Sequence, residues 1–296
     1  MIRKMTEVES SFYKVPSSLI KTASEDGDCD FCITISAYLM IIENHVRRFN
    51  PKYKNAESFF YGTTISNNQI TTHLLRNPNR VPEGITAKIR NSIAWLIKNK
   101  FLKCDNDFEK VKNSNCCEYD VTSNFVEKNY SYIPIYYDEL MNIYHYCKEN
   151  KADIIRTLGV LAFFRKLIPL RKSQNNAKEM GNGVQYYSDD RPEAYNFYYS
   201  KIADELRIST ESVKKALAVL TSIDILYVKE LKVKTIKDSF IRQQHIVSNF
   251  CARYFNTNTI VIGEEYYKNE INSKERKLKK YFDGILKCEI GDNFNE

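Results

Sequence analysis

The chain of 296 residues lacks any apolar run that is long enough to cross a membrane. Its longest apolar segments, Ile35–Ile42 and Leu158–Phe164, span only eight and seven residues, whereas a membrane helix needs about twenty. The N-terminal segment also lacks the hydrophobic stretch of a secretion signal. These absences exclude the membrane-spanning class and lead us to expect a cytoplasmic protein.

Familiar catalytic motifs are missing as well. The sequence contains no GxxxxGK[ST] phosphate loop, no GxGxxG dinucleotide loop and no His-x-His pair for a nuclease metal. Its tyrosine pairs are not surrounded by the Arg and His residues that a tyrosine nucleophile requires. We therefore expect no enzymatic activity, no catalytic residues and no cofactor.

Eight cysteines raise the alternative of a zinc site. Cys29 and Cys32 form a CxxC pair, and Cys116 and Cys117 are adjacent. Four thiolates can bind zinc, but the second pair lacks the usual two-residue spacing and no ligand histidine lies beside either pair. Reduced thiols of a cytosolic protein are the favoured interpretation, so we predict no metal.

The segment Tyr199–Val228 has the pattern of two short helices joined by a tight turn. Apolar residues recur at helical spacing on both sides of the turn, at Ile202, Ala203 and Leu206 before it and at Val213, Leu217 and Leu220 after it. Ser209 or Thr210 can cap the second helix by accepting a backbone N–H. A rigid second helix with a polar outer face suits the DNA major groove. An ordinary amphipathic helix pair is the alternative.

Ile70–Cys104 repeats this order of elements without repeating the residues. Ser66 can cap a first helix that ends near Leu75, and the turn Asn77–Asn79 contains a helix-breaking proline. A second helix starts after Pro82, and Asn99-Lys100 closes it. The chain therefore predicts two copies of one architecture.

Basic residues are concentrated in the first copy. Residues 70–104 contain seven Lys and Arg residues against Glu83 alone, a net charge of +6, while the whole chain carries +7. Residues 198–247 contain nine basic and six acidic residues, a net charge of +3. Phosphate contacts supply most non-specific DNA affinity, so this distribution favours DNA binding. A solvated mixed-charge surface is the alternative interpretation.

Each copy continues into a basic hairpin. We predict that Phe101–Asp105 pairs with Cys117–Ser123, and that Ile225–Val233 pairs with Ser239–Val247. A basic hairpin beside a DNA-recognition helix is typical of a wing, which contacts the DNA backbone or the minor groove.

The predicted DNA contacts lie on the second helix and the hairpin of each copy and, in the first copy, also beside the turn between its helices. Lys and Arg suit guanine edges, and Asn suits adenine. In the first copy the candidates are Arg76, Arg80, Thr86, Lys88, Arg90, Asn91, Lys110 and Lys112. In the second copy they are Thr210, Ser212, Lys214, Lys215, Lys234 and Lys237.

We predict a mainly α fold with small β-hairpin wings, organised as two tandem winged-helix (helix-turn-helix) domains. The predicted boundaries are an N-terminal arm over residues 1–30, a first winged-helix domain over 31–130, a connector helix over 131–151, a second winged-helix domain over 152–255, and a charged C-terminal helix or tail over 256–296.

The two units resemble the tandem winged-helix domains of plasmid and phage replication initiators from low-GC Gram-positive bacteria. FYKVPSSLI, followed by an apolar helix, is similar to how some plasmid initiators begin. IADELRISTESVKKALAVLTSIDIL resembles the general bacterial winged-helix pattern, which transcription regulators share, although Asp224 stands where a glycine is often found. The resemblance implies binding to repeated sites in double-stranded DNA, recruitment of host replication proteins and no intrinsic nuclease.

Three functions remain open at this point. The chain is a replication initiator, a transcription regulator that binds an operator, or a winged-helix module for protein–protein assembly. Tandem units without an evident ligand domain favour the first function over the second, and the basic first unit argues against the third. Whether the C-terminal helix makes a homodimer is also open.

Overall fold

Short helices and small antiparallel sheets make up the described parts of the chain. The computed structural model describes residues 12–49, 64–75, 82–104, 106–121, 132–168, 194–234, 241–249, 265–270, 272–273 and 276. Within these ranges, no helix combines the length and the apolar character that a membrane crossing requires.

The described elements are helices interspersed with short strands. The first half contains β1 (Phe12–Pro16), α1 (Ser17–Glu25), α2 (Phe31–Phe49), β2 (Ile65–Ser66), α3 (Asn67–Leu74), α4 (Glu83–Lys98), β3 (Lys103–Cys104), β4 (Cys116–Cys117) and β5 (Tyr119–Asp120). The second half contains β6 (Tyr132–Tyr136), α5 (Tyr137–Glu149), α6 (Ile154–Leu167), β7 (Ala194–Phe197), α7 (Tyr199–Leu206), α8 (Thr210–Ser222), β8 (Leu226–Lys234) and β9 (Ile241–Asn249). Residues 265–270, 272–273 and 276 are helical and fall within the predicted C-terminal segment.

Local capping signals explain where the paired helices begin and end. Ser66 and Gln69 form a capping box at the start of α3, and the Ser209 side chain accepts the Ser212 N–H at the start of α8. Both α4 and α8 are followed by a residue with left-handed backbone, Lys100 (φ 61°) and Asp224 (φ 56°). Asp tolerates this conformation better than most residues, so the turn after α8 forms without a glycine.

The two halves of the chain are joined through their first strands. β1 pairs with β6 in an antiparallel register that extends from Phe12↔Tyr136 to Pro16↔Tyr132. A strand was predicted neither in the arm over residues 1–30 nor in the connector over 131–151, whereas the helix predicted in the connector is present as α5. Each contributes a strand and a helix, because alternating apolar residues bury one face of the strand pair.

Helices α2 and α6 cross closely in the core. Gly159 of α6 lies against Cys32 of α2, and a Cβ at Gly159 would be only 2.9 Å from the Cys32 Cα atom. The Ser36 hydroxyl donates to the Ile155 carbonyl at 3.1 Å. Small side chains at the crossing allow the two backbones to approach. Helix α4 packs on α2, and α8 packs on α6.

Long-range hydrogen bonds tie each helix pair to the opposite half. Arg207, in the turn between α7 and α8, donates to the carbonyl oxygens of Ser24, Asp26 and Cys29 near the end of α1. Lys148 of α5 donates to the carbonyl of Leu75 after α3. Contacts therefore place Met1–Leu167, Tyr199–Leu226 and Cys251–Arg253 in one compact unit. This grouping differs from the predicted boundaries, which separated the two helix-turn-helix segments.

The second compact unit comprises Ile168–Tyr198, Tyr227–Phe250 and Tyr254–Glu296. Its described part contains a three-stranded sheet in the order β7-β9-β8, in which β7 and β9 are antiparallel. The predicted hairpin after α8 is thereby confirmed as the neighbouring strands β8 and β9. The Tyr267 hydroxyl donates to the Ala194 carbonyl at 3.0 Å, which anchors the C-terminal helix to β7.

Candidate nucleic-acid interface

The solvent face of α4 is built from small and basic side chains. The buried residues of this helix are Thr86, Ile89, Ser92, Ile93 and Leu96. Apart from Glu83 in the first turn, its exposed residues are Gly84, Ala87, Lys88, Asn91, Ala94 and Lys98. Residues three, four and seven positions apart share a helix face, so Lys88, Asn91 and Lys98 form one stripe. The other exposed positions are glycine or alanine, so a groove can approach the helix closely.

Helix α8 presents a similar outer face. Its buried residues are Val213, Ala216, Leu217, Val219 and Leu220, and its exposed residues are Glu211, Lys214, Lys215, Ala218 and Ser222. Lys215 Nζ lies 3.6 Å from Glu211 Oε1, and Lys214 Nζ lies 5.6 Å from the centroid of the Tyr199 ring. Exposed contacts of this kind contribute little free energy, so both ammonium groups can exchange them for phosphate.

The N-terminal ends of α4 and α8 line one cleft of about 610 Å³. Ile85 and Lys88 line it from α4, and Ser209 and Ser212 line it from the start of α8. Its charged lining is balanced, with three cations and three carboxylates: Lys88, Arg156, Arg207, Asp28, Asp30 and Asp153. The excess of basic groups therefore lies on the exposed helix faces and not in the cleft.

Arg90 has a different role from the predicted DNA contact. Its guanidinium donates to the carbonyls of Phe108 and Glu109, each at 3.0 Å, and also to Val111 O and Asn113 Oδ1. The same group lies 5.1 Å from the centroid of the Phe108 ring. A guanidinium has five N–H donors, and these bonds use most of them. Arg90 therefore holds the loop between β3 and β4 against α4.

That loop carries the predicted hairpin contacts. Lys110 and Lys112 are both exposed, and Lys110 Nζ lies 2.7 Å from Asp107 Oδ2. The predicted strand pairing is confirmed for β3 with β5, and β4 also pairs with β2, which was not predicted. The side chain of Asn67 donates to Asn113 Oδ1 at 3.1 Å. These bonds position the two lysines relative to α3 and α4.

The remaining predicted contacts fall into three groups. Thr86 is buried with 6% of its surface exposed, because it lies on the inner face of α4, and it cannot reach a base without a rearrangement. Thr210 and Ser212 are half-buried at the start of α8, and the Ser212 hydroxyl shares a hydrogen bond with Ser209. Arg76, Arg80 and Lys237 lie outside the described residues, and Lys234 ends β8.

Two sets of basic residues were missed in the sequence. Lys98 shares the exposed stripe of α4 with Asn91, and the spacing of seven residues is a signal that could have identified it. Lys151 and Arg156 line a second cleft of about 490 Å³ together with Lys215 of α8. No sequence signal indicates this second set, because the residues come from segments about sixty positions apart.

The cysteines that raised the zinc alternative differ in burial and surroundings. Burial raises the pKa of the Cys29 thiol to about 11, and its sulfur lies 3.3 Å from the Thr34 hydroxyl. Cys32 packs against Gly159, whereas Cys116 is exposed on β4. Among the residues that the structure describes, no group of three or more His, Cys, Asp or Glu side chains is placed to hold a metal ion.

Neither the fold nor the exposed helix faces lead to a known relative. Comparisons with known protein families, with curated proteins and with solved structures find no match to this chain.

Proposed function

We propose that this chain binds double-stranded DNA through the exposed faces of α4 and α8. In this proposal each of these helices, with the helix before it and the hairpin after it, is a winged helix. One observation carries the proposal: neither helix exposes a large aliphatic residue, and both expose a face of small, polar and basic residues. Such a face can enter a major groove without steric obstruction.

The exposed residues suit both kinds of DNA contact. Lys88 and Lys215 can donate to guanine edges, and Asn91 can make paired hydrogen bonds with adenine. Lys110 and Lys112 on the hairpin loop can contact phosphate, which orients the protein without specifying sequence. Their loop is held by Arg90, so these contacts cost little ordering entropy on binding.

The biological role that we favour is initiation of plasmid-type or phage-type replication, with host replication proteins as further partners. The two tandem recognition helices and the resemblance of FYKVPSSLI to initiator N-termini support this role. Binding to an operator as a transcription regulator is the second candidate, since the α7–α8 segment has a pattern that regulators share. A plasmid that carries this gene and its flanking DNA as the sole origin tests the first role, because an initiator supports its replication and a regulator does not.

A salt titration with matched variants tests DNA binding itself. We expect duplex affinity to fall by about 10³-fold or more between roughly 50 and 200 mM salt if six or more phosphates are contacted. The double variants Lys88→Ala/Lys98→Ala and Lys214→Ala/Lys215→Ala should each bind more weakly, with a shallower salt dependence. Lys14→Ala/Lys21→Ala removes two exposed lysines from β1 and α1 and is the control of equal charge. Equal affinity at both salt concentrations, or absence of duplex binding at low salt, contradicts the proposal.

A further inference from the structure

The pairing of β1 with β6 is self-complementary. Both strands run directly into a helix, at Ser17 and Tyr137, so residue n of β1 corresponds to residue n+120 of β6. The register then pairs Lys14 with its own equivalent, Pro134. It pairs Phe12 with Tyr136 and Pro16 with Tyr132, and the n+120 equivalence exchanges these two pairs. Reciprocal pairing of this kind is the property of a two-fold symmetric contact, which normally joins two identical subunits.

The crossing of α2 and α6 has the same reciprocity. Asp30 and Asp153 each accept a backbone N–H three residues later, from Ile33 and Arg156, so residue n of α2 corresponds to residue n+123 of α6. Ser36 is then equivalent to Gly159, and Cys32 to Ile155. The two close contacts of the crossing, Ser36 with Ile155 and Cys32 with Gly159, exchange under this equivalence.

The same two-fold relation extends to α4 and α8. Helix α4 packs on α2 as α8 packs on α6, and the left-handed residues Lys100 and Asp224 close them with matching hydrogen bonds, Phe101 N to Leu96 O and Ile225 N to Leu220 O. Lys88, Asn91 and Lys98 therefore correspond to Ser212, Lys215 and Ser222. The cleft between the helices is lined by equivalent residues of both halves, such as Asp30 with Asp153, so it straddles the axis.

We infer that one chain reads an inverted repeat, with α4 on one half-site and α8 on the other. The inference rests on the proposed DNA binding and adds the symmetry of the site. Two helices related by a two-fold axis enter a duplex in opposite directions, and the dyad of the protein then coincides with a dyad of the DNA. The half-sites are inverted in orientation but different in sequence, because the two helices carry different residues at equivalent positions. Lys88, Asn91 and Lys98 of α4 correspond to Ser212, Lys215 and Ser222 of α8.

The experiment selects bound duplexes from a library with a 30-base-pair random core. The full chain is used, and the number of chains per duplex is measured by sedimentation. We expect one chain per duplex and two enriched blocks about 10 base pairs apart, with the reverse complement of one block aligning imperfectly with the other. Two blocks in direct orientation, a single block, or two chains for every pair of blocks overturns the inference while leaving DNA binding intact. Failure to enrich any duplex contradicts DNA binding itself.

A face transfer sharpens the test. The variant Ser212→Lys/Lys215→Asn/Ser222→Lys gives α8 the stripe of α4 formed by Lys88, Asn91 and Lys98. It should make the enriched site a closer palindrome by changing only the α8 block. The reverse transfer, Lys88→Ser/Asn91→Lys/Lys98→Ser, should change only the α4 block. Thermal melting verifies that each variant is folded. A folded variant whose two blocks both change, or both stay unchanged, overturns the assignment of one helix to each half-site.

Discussion

Arg90 shows how one side chain can support an interface that it does not touch. Its bonds to the loop between β3 and β4 position Lys110 and Lys112. We expect Arg90→Ala to lower the free energy of unfolding by about 1–3 kcal/mol, because partly buried loop carbonyls lose a charged donor. It should also speed amide hydrogen exchange at residues 108–113 and weaken DNA binding as a secondary effect.

Lys88→Ala is the matched control for Arg90→Ala, since Lys88 lies only two residues from Arg90 but is exposed on the outer face of α4. It should weaken DNA binding while leaving unfolding and loop exchange unchanged. If Arg90→Ala weakened DNA binding without any change in loop exchange or stability, Arg90 would be a direct contact after all.

His73 makes the stability of the fold dependent on pH. Burial, with a smaller effect from the nearby Lys148 charge, lowers the pKa of this imidazole to about 4 from its ordinary value of 6.5. Its Nδ1 lies 3.3 Å from the Tyr144 hydroxyl. The unfolded chain takes up a proton below about pH 6.5 and the folded chain only near pH 4, so the stability due to neutral His73 is lost as the pH falls through this window.

Urea unfolding at pH 7 and pH 5 measures this dependence. We expect the stability of the wild-type chain to fall more between these values than that of His73→Asn, which cannot gain the proton. Carboxylate titration is common to both proteins and cancels in the comparison. An equal fall in the two proteins would mean that His73 is solvated in the folded state.

At the scale of elements, the crossing of α2 and α6 sets the relation between the two helix pairs. A methyl group at Gly159 would lie 2.7 Å from Cys32 Sγ and 2.9 Å from Cys32 Cα, so the backbones must separate. We expect Gly159→Ala to destabilise the protein by about 1–3 kcal/mol because of this clash. The higher helix propensity of alanine relative to glycine, about 1 kcal/mol, offsets only part of the cost of the clash. Chemical unfolding measures the change.

Gly84→Ala is the control for this substitution. Gly84 is exposed in the first turn of α4, and a Cβ there meets no atom within 4 Å. No clash then opposes the higher helix propensity of alanine, so stability should stay the same or rise by up to about 1 kcal/mol. A neutral Gly159→Ala would show that the two helices shift apart at little cost.

The elements that the sequence predicted well are those specified by local signals. Capping by Ser66 and Ser209, the turn around Arg207 and the apolar spacing of α8 all act within a few residues, and these elements are confirmed. The strands β1 and β6 were missed because each is only five residues long and becomes a strand by pairing across 120 positions. Tertiary partners, not local propensity, decide such segments.

In the candidate site, too, the sequence predicted the residues that local signals specify and missed those that tertiary packing decides. The exposed positions Lys88, Asn91 and Lys215 follow from helical spacing alone, so the sequence identified them. The role of Arg90 depends on a loop about twenty residues away, and the buried position of Thr86 depends on the packing of α4 against its neighbours. Contacts of this kind are determined by tertiary packing, which periodicity does not describe.

At the scale of the whole molecule, the two halves share one core. Residues Phe31 to Asn44 of α2 are all buried, and α6 of the other half covers part of that surface. β1 has its paired strand in the second half as well, and Arg207 of the second half donates to the Ser24 carbonyl near the end of α1. Neither half can therefore bury its own apolar surface, and each lacks hydrogen-bond partners when it stands alone.

We therefore expect a fragment of residues 1–130 to lack a stable fold, although it contains a complete helix-turn-helix and hairpin. It should show no cooperative thermal transition, and it should not bind duplex DNA with the affinity of the full chain. Co-expression with residues 131–296 should restore a complex that melts cooperatively, since pairing of β1 with β6 and packing of α2 on α6 can form between separate chains. Circular dichroism of the two purified fragments, alone and co-expressed, measures this. A fragment 1–130 that melts cooperatively by itself, near the temperature of the full chain, would mean that the first half is an independent domain and that the shared core contributes little to its stability.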